Sequence, residues 1–116
     1  MLTITFRNRE YPLATTLRVA YKVQGQHNHK PYTEVFQSIG DMTLEDQIAI
    51  LFAAFQCGSP NDLDVQRIKQ QEFLDFYLDN YTLQDVMNQL KEVIEGIVGK
   101  PMNAEDASAP EDSQGN

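Results

Sequence analysis

The stretch Ile48-Ala-Ile-Leu-Phe-Ala-Ala-Phe55 contains no polar side chain. Thr43 stands before Leu44-Glu-Asp46, offering a capping hydroxyl and two acids to a first helical turn, where the helix dipole favours negative charge. Behind that cap Leu44, Ile48, Leu51 and Phe55 recur at helical spacing, and Gly58-Ser-Pro60 ends the run. The spacing predicts a helix that is apolar on every face for about two turns. A surface helix needs only one apolar stripe. Either this helix is central and wrapped by the others, or part of it is left for a partner. Ala49, Ala53 and Ala54 permit close helix–helix approach in both cases.

Working outward, residues 62–79 predict a second helix, carrying Val65, Ile68, Phe73, Phe76 and Tyr77. Its apolar residues cover most of the circumference, and with Tyr81 they form an aromatic cluster open to the same two readings. Thr82 then caps the cleanest helix in the chain. Leu83, Val86, Met87, Leu90, Val93, Ile94 and Ile97 mark one stripe, and Gly99 and Pro101 close it.

Toward the N-terminus, Leu2, Ile4 and Phe6 alternate with Thr3, Thr5 and Arg7, the period of a half-buried strand. Arg7-Asn-Arg-Glu10 can turn the chain, with Asn8 tolerating unusual backbone geometry. Tyr11 and Leu13 flank Pro12, so the returning strand must be short or at an edge. Such a hairpin is marginal alone and must pack on helices. A helix from Thr15 or Thr16 runs through Leu17, Ala20, Tyr21 and Val23 to Gly25, then a loop, then a short helix from Pro31 carrying Tyr32, Val35, Phe36 and Ile39 inward. The fold class is mostly α: four to five helices with a short N-terminal β-hairpin (about 1–14) in one domain of residues 1–100. Residues 101–116 are polar, acidic and proline-punctuated, with too little apolar surface to offset the entropy of ordering, and are expected to be disordered.

The chain has 116 residues, 41% apolar and 22% charged, an ordinary globular composition sufficient for one modest core. No run approaches the roughly 18 apolar residues of a membrane span. No secretory signal is visible, and Cys57 is the only cysteine, so a reducing, cytoplasmic setting is expected. Of the formal net charge of −8, Glu105, Asp106, Glu111 and Asp112 supply −4. That balance argues against nucleic acid, whose phosphates require clustered Lys and Arg.

Candidate chemistry is sparse. His27 and His29 are two loop histidines, short of the three or four ligands a metal site requires, and no metal or cofactor is expected. Cys57 reads as a small buried hydrophobe rather than a nucleophile, because no base is placed beside it. Asp62, Asp64, Asp75 and Asp79 are explained by helix ends alone. No phosphate loop or nucleophile elbow occurs, so an enzyme is not expected. Apolar surface left for a protein partner is the expectation instead, with Ile48, Leu51, Phe52, Phe55, Phe73, Phe76 and Tyr77 as candidate partner-binding residues.

In order and texture these elements resemble a tail assembly chaperone of long-tailed bacteriophages, in its short form. The resemblance covers about residues 1–100. It rests on the strand–turn–strand Leu2-Thr-Ile-Thr-Phe-Arg-Asn-Arg-Glu-Tyr-Pro-Leu13, the helix Thr16-Leu-Arg-Val-Ala-Tyr-Lys-Val23, the apolar core Leu51-Phe-Ala-Ala-Phe55, and a terminal amphipathic helix with a polar tail. The His27 to Lys30 loop and the aromatic density of Phe73-Leu-Asp-Phe-Tyr77 depart from that pattern. The resemblance implies a protein that coats the tape measure protein, self-associates, and, through a longer frameshifted form, recruits tail tube subunits. The alternative is a small acidic regulatory adaptor or inhibitor that binds a single partner.

Overall fold

The computed structural model describes residues 2–26 and 30–99. It shows a mostly helical domain with an N-terminal hairpin, as the periodicities predict. Residues 27–29 and 100–116, including both histidines and the expected disordered tail, lie outside the described residues.

Strands β1 (Thr3–Phe6) and β2 (Arg9–Pro12) pair antiparallel, with Thr3 opposite Pro12 and Phe6 opposite Arg9. The turn is only Arg7 and Asn8, both at positive φ (53° and 65°), the two-residue geometry whose twist matches that of the flanking strands. Arg7 tolerates this at the surface, its guanidinium 4.8 Å from the Phe6 ring centroid and 3.6 Å from the Glu72 carboxylate. Ile4 and Phe6 are buried, while Thr3 and Thr5 face out.

Helices α1 (Leu17–Gln26) and α2 (Tyr32–Gln37) follow, then a 3-10 turn (Ile39–Asp41) and α3 (Leu44–Gly58). The Thr43 hydroxyl accepts the Asp46 N–H at 3.2 Å, the cap expected from sequence. Every residue from Gln47 to Phe55 is buried, including Gln47, whose Nε2 donates to the Ile39 carbonyl at 2.9 Å. Helix α3 is the central one, contacted by the hairpin and by α1, α4 (Leu63–Arg67), α5 (Gln70–Asn80) and α6 (Leu83–Val98).

The described residues thus hold six α-helices, one more than the upper expectation, because the segment 62–79 is broken. Ile68 and Lys69 adopt extended backbone (ψ 130° and 150°) between α4 and α5. Local capping explains the break. The Asp62 carboxylate accepts the Asp64 and Val65 N–H groups at 3.0 and 3.2 Å to start α4. The Glu72 carboxylate reaches back to the Lys69 N–H at 2.8 Å to start α5. The kink lets Val65 and Phe73 both point at α3, which the crowded periodicity of one straight helix did not allow.

At the other boundary, Thr82 and Asp85 form a reciprocal capping box at 3.1 and 3.0 Å, and α6 ends on left-handed Gly99 (φ 81°). Tyr81, just before that cap, holds the hairpin. Its hydroxyl donates to the Thr5 carbonyl at 2.7 Å and accepts the Thr5 N–H at 3.0 Å, pairing the free edge of β1. The far end of the hairpin is tied to α3, where the Ala14 N–H donates to the Ala54 carbonyl at 3.0 Å.

Gly58 belongs to α3 instead of merely ending it, and its role is close approach: a Cβ there would collide with the Pro12 carbonyl oxygen. Gly58→Ala is therefore expected to cost about 1–3 kcal/mol, whereas Gly25, with open space around it, should accept alanine without loss. Phe55→Ala should cost about 3–5 kcal/mol in urea unfolding, and Leu51→Asp should abolish the helical circular dichroism, because it strands a carboxylate in the core. A folded Leu51→Asp variant would mean that α3 is not enclosed.

Candidate interaction surface

The residues that sequence singles out for a partner are brought together, but inside the domain. Ile48, Leu51, Phe52, Phe55, Phe73 and Tyr77 are all buried, and Phe76 is half-buried. A partner reaching the α3 face would have to displace the helices that cover it. Of the two readings the sequence leaves open for these residues, the burial matches the central, wrapped helix, and the physical reason is the aromatic packing. Phe73 sits 5.0 Å from Phe55, 5.2 Å from Phe52, 5.6 Å from Phe6 and 4.7 Å from Tyr77 between ring centroids. Phe76 packs on Phe6 at 4.8 Å, and Tyr11 meets Phe55 edge-on at 5.2 Å. The hairpin supplies the rings that close over the cluster, at separations where aromatic pairs attract.

Large apolar side chains that face solvent are spread over several elements, at Leu44, Leu63, Leu78, Leu83 and Val98, and two more lie together on α1. Leu17 is 71% exposed and Tyr21 76% exposed, one helical turn apart. The sequence places Leu17, Ala20, Tyr21 and Val23 on this helix without dividing them between faces; in the structure Val19, Ala20 and Val23 form the buried face. The signal for this was available: at about 100° per residue, Leu17 and Tyr21 fall nearly opposite Val19 and Val23. The helix has two apolar stripes, and only one can face the core.

Arg18 and Lys22 stand beside the exposed stripe and line a groove of about 310 Å³ with Tyr21. Its opposite wall is the end of α3, at Gln56 and Cys57, followed by Pro60. Gln66 of α4 fixes that wall, its Nε2 donating to the Gln56 and Ser59 carbonyls at 2.9 and 3.0 Å, while Lys22 Nζ donates to Gln56 Oε1 at 2.8 Å. Among the described residues no acid lines the groove. Partial burial pushes the Cys57 thiol pKa up, and the nearby Lys22 and Arg18 charges offset part of that rise.

A second hollow, about 360 Å³ between the hairpin turn and α4–α5, balances Arg7 and Arg67 against Asp64 and Glu72. Glu72 is held below the usual carboxylate range chiefly by the Lys69 N–H and secondarily by Arg7. Tyr77 donates to Gln89 Oε1 at 2.6 Å, and burial, with Tyr81 and Asp85 adding, raises its pKa so that it remains a neutral donor. Among the described residues no group of three or more His, Cys, Asp or Glu side chains gathers to hold a metal, and no helix is long and apolar enough to cross a membrane.

The geometry predicts that Leu17→Ser and Tyr21→Ser, alone or together, leave the urea midpoint within about 0.5 kcal/mol of the natural chain. A larger loss would show that these side chains pack in the core. In comparisons with known proteins, no family model, characterised protein or solved structure matches the chain.

Proposed function

We propose that this chain is a tail assembly chaperone of the kind long-tailed bacteriophages use, acting in the cytoplasm of the bacterial host. In this reading it binds the tape measure protein, keeps it soluble, and helps bring tail tube subunits to it. The observation that carries the proposal is the exposed Leu17 and Tyr21 pair beside a preformed groove, on a domain whose core is already satisfied. An amphipathic helix of a long partner can lay its apolar residues on such a stripe. Arg18 and Lys22 offer its acidic residues a charged rim, and the chain's net charge of −8 favours a soluble complex. The order of hairpin, short helices, apolar central helix and amphipathic terminal helix supports the same reading.

The test is co-expression with the tape measure protein that, on this reading, a neighbouring gene encodes. The natural chain should keep that partner in the soluble fraction and co-purify with it, and the paired Leu17→Asp and Tyr21→Asp variant should lose both effects while keeping its circular dichroism. A partner that stays insoluble with the natural chain sinks the proposal. Light scattering across a concentration series should show self-association. A strict monomer that binds one unrelated protein would place the chain with small acidic adaptors instead.

A further inference from the structure

Three of the chain's four arginines, Arg7, Arg9 and Arg67, gather at the hollow between the hairpin turn and the α4–α5 break. Arg7 and Arg67 line it, and the Arg9 guanidinium lies 5.1 Å from the centre of the Tyr11 ring, which lines it too. Two acids are also present. Glu72 is already held by the Lys69 N–H at 2.8 Å and by Arg7 at 3.6 Å. Among the described residues Arg67 has no carboxylate within ion-pair distance. Phe6, Tyr11 and Ile68 give the hollow apolar walls.

The start of α3 has the opposite character. Residues 31–66 contain no base, and Asp41, Glu45 and Asp46 are exposed around Leu44, itself 40% exposed. The two regions lie at different ends of the central helix. Gln66, next to Arg67, donates to the Gln56 and Ser59 carbonyls at the far end of α3. Phe6 and Tyr11 pack on Phe55, about 16 Å along the helix from Leu44.

We propose that copies of this chain associate head to tail, the start of α3 in one copy entering the arginine hollow of the next. Leu44 meets the walls formed by Phe6, Tyr11 and Ile68. Asp41, Glu45 and Asp46 meet the arginines, whose planar guanidinium forks match carboxylates. Complementarity names a second copy as the occupant: an apolar residue among acids at one end faces an apolar hollow among arginines at the other. Because the two surfaces differ and lie apart, the contact is heterologous, and a pair still presents one free hollow and one free helix start. One hollow and one helix end make a small interface, so association is reversible and weakened by salt. This contact deepens the self-association expected under the proposed function, and it uses neither Leu17 nor Tyr21.

The experiment is light scattering and sedimentation of the full chain across a concentration series. The mass of the natural chain should rise past the dimer. Salt at about 1 M, where screening acts within about 3 Å, should return it to monomer. One variant reverses the hollow (Arg7→Glu with Arg67→Glu); the other neutralises the helix start (Asp41→Asn, Leu44→Ser and Glu45→Gln). Each, with the circular dichroism of the natural chain, should be monomeric alone. Mixed in equal amounts they should form a one-to-one dimer and nothing larger, because each retains the surface that the other lacks. Arg67→Gln alone, on the exposed side of α4, should weaken association severalfold, which covers a disturbed turn in the reversed variant. A natural chain that stays monomeric or stops at the dimer overturns the proposal. Self-association of either folded variant alone, a mixture that stays monomeric, or an Arg67→Gln chain that associates as before overturns it equally. A natural chain that lacks this contact yet keeps the tape measure protein soluble would sink the contact and leave the proposed function standing.

Discussion

Helix α3 has no polar face between Ile48 and Phe55, and the rest of the domain is arranged to meet that one constraint. A helix apolar all round loses free energy wherever water touches it, so cover must come from every direction. No single neighbour can supply it. Helix α1 covers one side, α5 and α6 cover others, and the hairpin closes the remainder. The small side chains of Ala49, Ala53 and Ala54, all buried, let these neighbours approach closely. At the end of the helix, Gly58 lets β2 come against the α3 backbone.

The hairpin illustrates how local and tertiary terms divide the work. Two four-residue strands do not hold themselves together in water. Here Phe6 and Tyr11 enter the aromatic cluster of α3 and α5, and Tyr81 satisfies both backbone groups of Thr5 on the open edge. The strand geometry is thus local in origin and tertiary in its stability. The same edge contact prevents β1 from offering a template to another chain at Thr5.

Helix α1 is the element that core formation leaves half used. Val19, Ala20 and Val23 go inward, and geometry then forces Leu17 and Tyr21 outward, with Arg18 and Lys22 between the two stripes. Once the interior of a domain this small is filled, this apolar pair remains outside with cations at its border.

Much of the fold was legible from the chain. The caps at Thr43 and Thr82, the Gly99 stop, the strand alternation of residues 2–6 and the stripe of α6 are governed by contacts within a few residues, which is why they can be read locally. Length and charge likewise follow from composition. The break at Ile68 and Lys69 was present in the Asp62 and Glu72 capping residues, but crowded apolar spacing across residues 62–79 masked it. Which apolar residues face out was not legible. Leu17 is no less apolar than the valines buried beside it, and a run such as 48–55 suits a core or an interface equally well. Only the tertiary structure decides between them, because burial depends on which surfaces compete for the same interior volume, and that competition is settled among elements far apart in the chain.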